Sequence, residues 1–200
     1  RPDERHAKFS DLEPLKNLLS KFENKEFNVE GYPSDFFVKK VIEVKPDQVT
    51  LVPDPPGALT SSFGWDCETN KNLLTDIVSE FKKNDIRVSI FINPSIKTLE
   101  NLEVIQTDRV ELYTFDYAHT FNENKEKAIK DYIGVTNYLK KEFPKIELNA
   151  GHDLNLENLK FFLDKINNVK EVSIGHALIC DTFEFGLQET IKKYLTLTNN

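Results

Sequence analysis

Two hundred residues, 39% of them hydrophobic, suffice for one substantial core, so a single domain spanning 1–200 is expected. A formal charge of −7 and a pI near 5.2 argue against a nucleic-acid-binding surface, which needs clustered Lys and Arg to neutralise phosphates. No apolar run approaches the roughly 20 residues that cross a bilayer, nothing at the start resembles a signal peptide, and Cys67 and Cys180 are too few for a disulfide framework or a zinc cluster. A cytoplasmic protein with no membrane partner is expected, with both cysteines as core residues.

A helical pattern near 11–22 comes first. Six short β-rich runs follow, at 27–30, 49–53, 88–93, 110–114, 146–150 and 172–174. Helical patterns near 34–44, 69–84, 96–104, 122–142, 155–166 and 183–195 come after them in strict alternation. Runs as apolar as Val88-Ser89-Ile90-Phe91-Ile92 imply parallel strands covered by helices. Doubly wound sheets and (β/α)8 barrels both fit, but the G-x-G-x-x-G turn of dinucleotide-binding sheets is absent, which favours the barrel. Eight strands are needed for closure, so the first two βα units are expected to be missing; the chain contains no Met and begins Arg1-Pro2-Asp3.

Chemistry in a parallel barrel sits where strands finish. Glu30 ends Asn28-Val29-Glu30 ahead of Gly31, where partial burial would suit a general base; a solvated loop carboxylate is the plain alternative. Glu111, flanked by Val110 and Leu112, points either into a barrel or outward to a helix lysine. Two strands end in a glycine followed by a histidine, Asn149-Ala150-Gly151-His152 and Ile174-Gly175-His176. His152 is a candidate for proton transfer, and Gly175-His176 opens a helix whose backbone N–H groups suit a phosphate. Arg1, Arg5 and His6 occupy the position of a loop after a preceding strand, and Asp54 with the loop carrying Thr60 follows the second run. His119 reads as a surface residue. The stretch from Pro53 to Cys67 is long for a strand-to-helix loop and fits a lid, with Trp65 and Phe63 as lid or core anchors. Dispersed histidines without H-x-x-E or H-E-x-x-H spacing give little support for zinc, so no metal site is expected.

Arg1-Pro2-Asp3-Glu4-Arg5-His6, Asn28-Val29-Glu30, Val49-Thr50-Leu51-Val52-Pro53, Leu59-Thr60, Val88-Ser89-Ile90-Phe91-Ile92, Val110-Glu111-Leu112-Tyr113-Thr114, Asn149-Ala150-Gly151-His152 and Ile174-Gly175-His176-Ala177 occur in that order. Together they resemble the pyridoxine 5′-phosphate synthase family, from residue 1 to about 190. The resemblance implies a (β/α)8 barrel that condenses 3-amino-2-oxopropyl phosphate with 1-deoxy-D-xylulose 5-phosphate without a metal or organic cofactor, and it implies homo-oligomers. By the same resemblance Glu30 is a proton acceptor, His152 a proton donor and Glu111 a transition-state stabiliser. Arg1, His6 and Thr60 would hold deoxyxylulose phosphate, and Gly175 with His176 the other phosphate. Asp153 stands where the family usually has a phosphate-binding glycine, Ser62-Phe63-Gly64-Trp65 replaces a typical Glu-Gly-Gly-Leu, and Tyr113 replaces a histidine. A catalytic histidine expected just upstream of the Arg1 position is not in the sequence, so these 200 residues alone are expected to be inactive. The alternative is a non-catalytic phosphate-binding or regulatory barrel derived from such an enzyme.

Overall fold

The computed structural model describes residues 1, 3–54 and 57–198. Contacts divide the chain into two compact units, residues 1–93 with 97–111 and residues 94–96 with 112–200. The six expected strands form, each parallel to its neighbours and in chain order.

The first unit holds α1 (Phe9–Leu19), β1 (Asn28–Gly31), α2 (Asp35–Val44), β2 (Gln48–Leu51), α3 (Lys71–Lys83), β3 (Arg87–Ile92), α4 (Leu102–Ile105) and the start of β4 (Arg109–Tyr113). Val29 aligns with Val49 and Val49 with Val88, so apolar residues stack across the strands. Two aspartates at strand entries tie each entry to the chain beside it. Asp47 accepts from Phe27 N at 2.7 Å, and Asp108 from Val88 N at 2.9 Å, each satisfying a backbone donor of the neighbouring strand. β2 stops before Pro53, which has no N–H to offer a ladder. On α3 the buried stripe is Leu74, Val78 and Phe81, while Leu73 is exposed. The helix expected over 96–104 is broken by Asn101 in a left-handed conformation (φ 71°) into a 3-10 turn (Ile96–Leu99) and α4.

The second unit continues with α5 (Phe115–Thr120), α6 (Lys125–Glu142), β5 (Glu147–Gly151), α7 (Leu159–Lys165), β6 (Val169–Ser173), α8 (His176–Phe185) and α9 (Leu187–Thr198). The helix expected near 183–195 is two helices, because Gly186 at φ 78° turns the chain between them. α5 has no counterpart in the expected pattern. It carries Tyr117 into an aromatic core with Tyr132 and Phe162, ring centroids 5.1 to 5.9 Å apart. Both phenols find backbone acceptors, Tyr117 Oη donating to Asn158 O at 2.6 Å and Tyr132 Oη to Tyr113 O at 2.9 Å, so their burial leaves no orphaned hydroxyl. Phe162→Ala is expected to cost about 3–5 kcal/mol through the cavity it leaves, read from urea denaturation.

Cys67 is buried, and burial pushes its thiol up to about 12. Cys180 lies exposed on α8, contrary to its expected place in a core, because no residue of α8 is buried. Among the described residues no helix is long and apolar enough to cross a membrane.

Candidate active site

Two clusters of polar side chains, one in each unit, hold part of the expected functional set: Arg1, His6 and Glu30 in the first, His152 and Asp153 in the second. In the first, Glu30 is placed at the end of β1 by Gly31, since a Cβ there would fall 2.3 Å from the Phe37 ring that packs over the strand end. Phe37 is itself fixed at the start of α2, where its N–H donates to Ser34 Oγ at 3.2 Å. Arg1, His6, Glu30, Tyr32 and Asp54 line a cavity of about 230 Å³. Asp54 is buried, with Arg1 Nη1 2.8 Å away and Ser61 Oγ donating to it at 2.6 Å. Glu30 itself is exposed to solvent at the end of β1. Loss of hydration and then the nearby Asp54 carboxylate push the Glu30 carboxyl above the usual range, with Arg1 opposing. Asp54 is absent from the residues given a role by sequence; an acidic side chain directly after a fully buried strand was the available signal.

Thr60 is exposed and stands outside this cavity lining, while its neighbour Ser61 is buried against Asp54. The second half of the expected lid is fastened down. Gly64 N donates to Asn93 Oδ1 at 3.0 Å, Trp65 N to Phe91 O at 2.8 Å and Trp65 Nε1 to Leu51 O at 2.9 Å, so Trp65 is a core anchor and Phe63 is exposed. A Cβ on Gly64 would sit 2.4 Å from Ile92 and Asn93 backbone atoms, which cannot step aside. Gly64→Ala is therefore expected to cost about 1–3 kcal/mol and to lift this loop. A red shift of fluorescence from Trp65, the one tryptophan of the sequence, reads the change. Glu111 is buried on β4 between Val110 and Leu112.

In the second unit the chain leaving β5 is held by Thr114. Its N–H donates to Gly151 O at 2.9 Å, and its hydroxyl meets the carbonyls of Gly151, at 2.8 Å, and His152. His152 (φ 92°) and Asp153 (φ 57°) are both left-handed, an arrangement that two consecutive non-glycine residues adopt only where surrounding bonds enforce it. Asn158 supplies the other restraint, its Nδ2 donating to Asp153 O at 3.1 Å. The His152 ring meets the Tyr113 ring edge-on at 4.8 Å and keeps 15% of its side chain exposed. Asp153 Oδ2 lies 3.2 Å from His152 Nδ1 and 3.3 Å from His119 Nε2. His119 is exposed as expected, yet α5 brings it onto Asp153. Gly175 and His176 begin α8 and are exposed, and no side chain caps that helix start.

The family model described as "Pyridoxal phosphate biosynthesis protein PdxJ" matches residues 1–200. The chain belongs to the PdxJ family. Within it, the pyridoxine 5′-phosphate synthase of Cytophaga hutchinsonii is 48% identical over 195 residues, covering 98% of this chain and 79% of that protein. The enzyme of the same name from Parabacteroides distasonis is 47% identical over 200 residues, 100% of this chain and 82% of that protein. Among solved structures, 3-keto-L-gulonate-6-phosphate decarboxylase from Vibrio cholerae superposes with a TM-score of 0.60 at 10% identity, covering 94% of this chain and 78% of that one. A 4-hydroxy-2-oxoglutarate aldolase gives 0.59 at 13%, covering 95% and 76%. At such identities these likenesses speak to the fold of this PdxJ chain and not to its chemistry.

Proposed function

We propose that the protein to which this chain belongs carries out the pyridoxine 5′-phosphate synthase reaction, condensing 3-amino-2-oxopropyl phosphate with 1-deoxy-D-xylulose 5-phosphate to pyridoxine 5′-phosphate, inorganic phosphate and water. The observation that carries the proposal is membership of the PdxJ family along residues 1–200, with relatives of that enzymatic name at 43–48% identity. Local geometry supports separate roles. Glu30 is the base: its raised carboxyl, at the edge of an open cavity, is matched to accepting protons closer to neutral pH. His152 is the acid that protonates a departing oxygen. Glu111, buried on β4, stabilises charge in the transition state.

Arg1, His6 and Thr60 take the deoxyxylulose phosphate, and Gly175 with His176 the second phosphate, at a helix start whose first N–H groups no side chain caps. Asp153 turns its carboxylate to two imidazoles, so any contact it makes with phosphate runs through its backbone. In this proposal the six strands are part of an eight-stranded barrel of a cytoplasmic homo-oligomer that uses no metal or organic cofactor and binds neither membrane nor nucleic acid. Expression of the natural protein that contains this sequence is expected to restore growth of a bacterium made pyridoxine-dependent by loss of this enzyme. A folded, well-expressed protein that gives no rescue contradicts the assignment.

A further inference from the structure

We infer that Asp153 is a positioning residue: braced by His119, its carboxylate holds His152 in the Nδ1–H tautomer and so turns Nε2 toward substrate. This inference rests on the reading of His152 as the proton donor. Side chains of consecutive residues in extended backbone point apart, but the left-handed pair at 152 and 153 brings the Asp153 carboxylate back beside the preceding ring. One oxygen, Oδ2, serves both imidazoles, 3.2 Å from His152 Nδ1 and 3.3 Å from His119 Nε2. Phe115 braces the pair, its ring centroid 3.9 Å from that of His119 and 5.8 Å from that of His152. Thr114 and Asn158 hold the backbone on either side, so the arrangement is set before substrate arrives.

An ionised carboxylate only accepts hydrogen bonds, so the ring nitrogen facing it carries the hydrogen. His152 Nδ1 is wholly buried, which leaves the 15% exposure of the side chain to its other atoms. At 3.2 Å the Oδ2–Nδ1 pair is in ion-pair contact without hydrogen-bond geometry, and catalytic hydrogen bonds often tighten only when substrate binds. In the acid step the Nε2–H bond of the imidazolium breaks and the proton passes to the departing hydroxyl oxygen, the substrate C–O bond breaks with its electron pair leaving on that oxygen as water, and the ring remains as the neutral Nδ1–H tautomer that Asp153 favours. His119 keeps the carboxylate in place from its other side.

The test is a long-range ¹H–¹⁵N correlation of histidine-labelled natural protein, with His152 assigned through H152N, alongside steady-state rates. Asp153→Gly suits φ 57°, so the fold is retained. In this variant, which carries the glycine usual in the family, His152 is expected to shift from Nδ1–H to mainly Nε2–H, and kcat to fall several-fold. KM is expected to stay within about threefold. His119→Ala is expected to give a smaller loss, which His119→Gln, keeping an N–H donor, restores. A retained Nδ1–H signal in D153G overturns the inference, as does a rise in KM at unchanged kcat, which would make Asp153 a substrate-binding residue. Undiminished turnover by H152N instead removes the acid role from His152, a failure of the underlying reading that is seen separately.

Discussion

His152→Asn is expected to lower kcat roughly 10²- to 10⁴-fold, the range a positioned general acid contributes, while the protein stays folded. Asparagine is among the residues that best tolerate a positive φ, so the left-handed backbone at 152 survives the change, and the Thr114 bonds to the Gly151 and His152 carbonyls involve no His152 side-chain atom. What disappears is the imidazole beside Asp153, the proposed source of the proton for the departing oxygen. Product formation followed with circular dichroism separates the two effects. A native spectrum with kcat within about threefold of the parent would falsify the acid assignment.

The second large effect is at Glu30. Glu30→Gln keeps size and hydrogen-bonding reach but removes the proposed base, and kcat is expected to fall roughly 10²- to 10⁴-fold. The same substitution carries a stability signature whose sign follows from the raised carboxyl. Desolvation and the Asp54 charge make the folded state hold the Glu30 proton more tightly than the unfolded chain does. The contribution of Glu30 to stability is therefore fully present below the ordinary carboxylate pKa and is lost as pH rises through the folded value. Glutamine cannot ionise, so E30Q is expected to melt above the parent at neutral pH, the two curves converging toward pH values below the ordinary carboxylate range. Thermal melts across that interval check this; a variant less stable at neutral pH than in acid, relative to the parent, would contradict the environment described for Glu30.

Much of this architecture is legible in local sequence. The apolar run from Val88 to Ile92 dictates a buried parallel strand, Gly31 and Gly151 end strands, and Gly175 opens α8 two residues after β6. What is not legible depends on left-handed residues and on contacts across long separations. Asn101 and Gly186 each divide an expected helix, and in the first case the signal is one asparagine whose conformation only the folded chain decides. α5 escapes notice because six residues are too short for a clear period, yet Tyr117 and Phe121 at i and i+4 after Thr114 were a helix signal. Missing α5 hides His119, which reaches Asp153 across 34 residues. Asp153 itself stands out as an added carboxylate; that it faces two imidazoles follows from consecutive positive φ angles, which side-chain identity does not encode.

The most direct measurement is turnover of the purified natural protein containing this sequence, supplied with 3-amino-2-oxopropyl phosphate and 1-deoxy-D-xylulose 5-phosphate. Pyridoxine 5′-phosphate and inorganic phosphate are followed together. The expected result is one phosphate released for each pyridoxine 5′-phosphate formed, with no product when either substrate is withheld. Folded protein that forms no pyridoxine 5′-phosphate from the two, or that releases phosphate from one of them alone at the same rate, would contradict the proposed reaction.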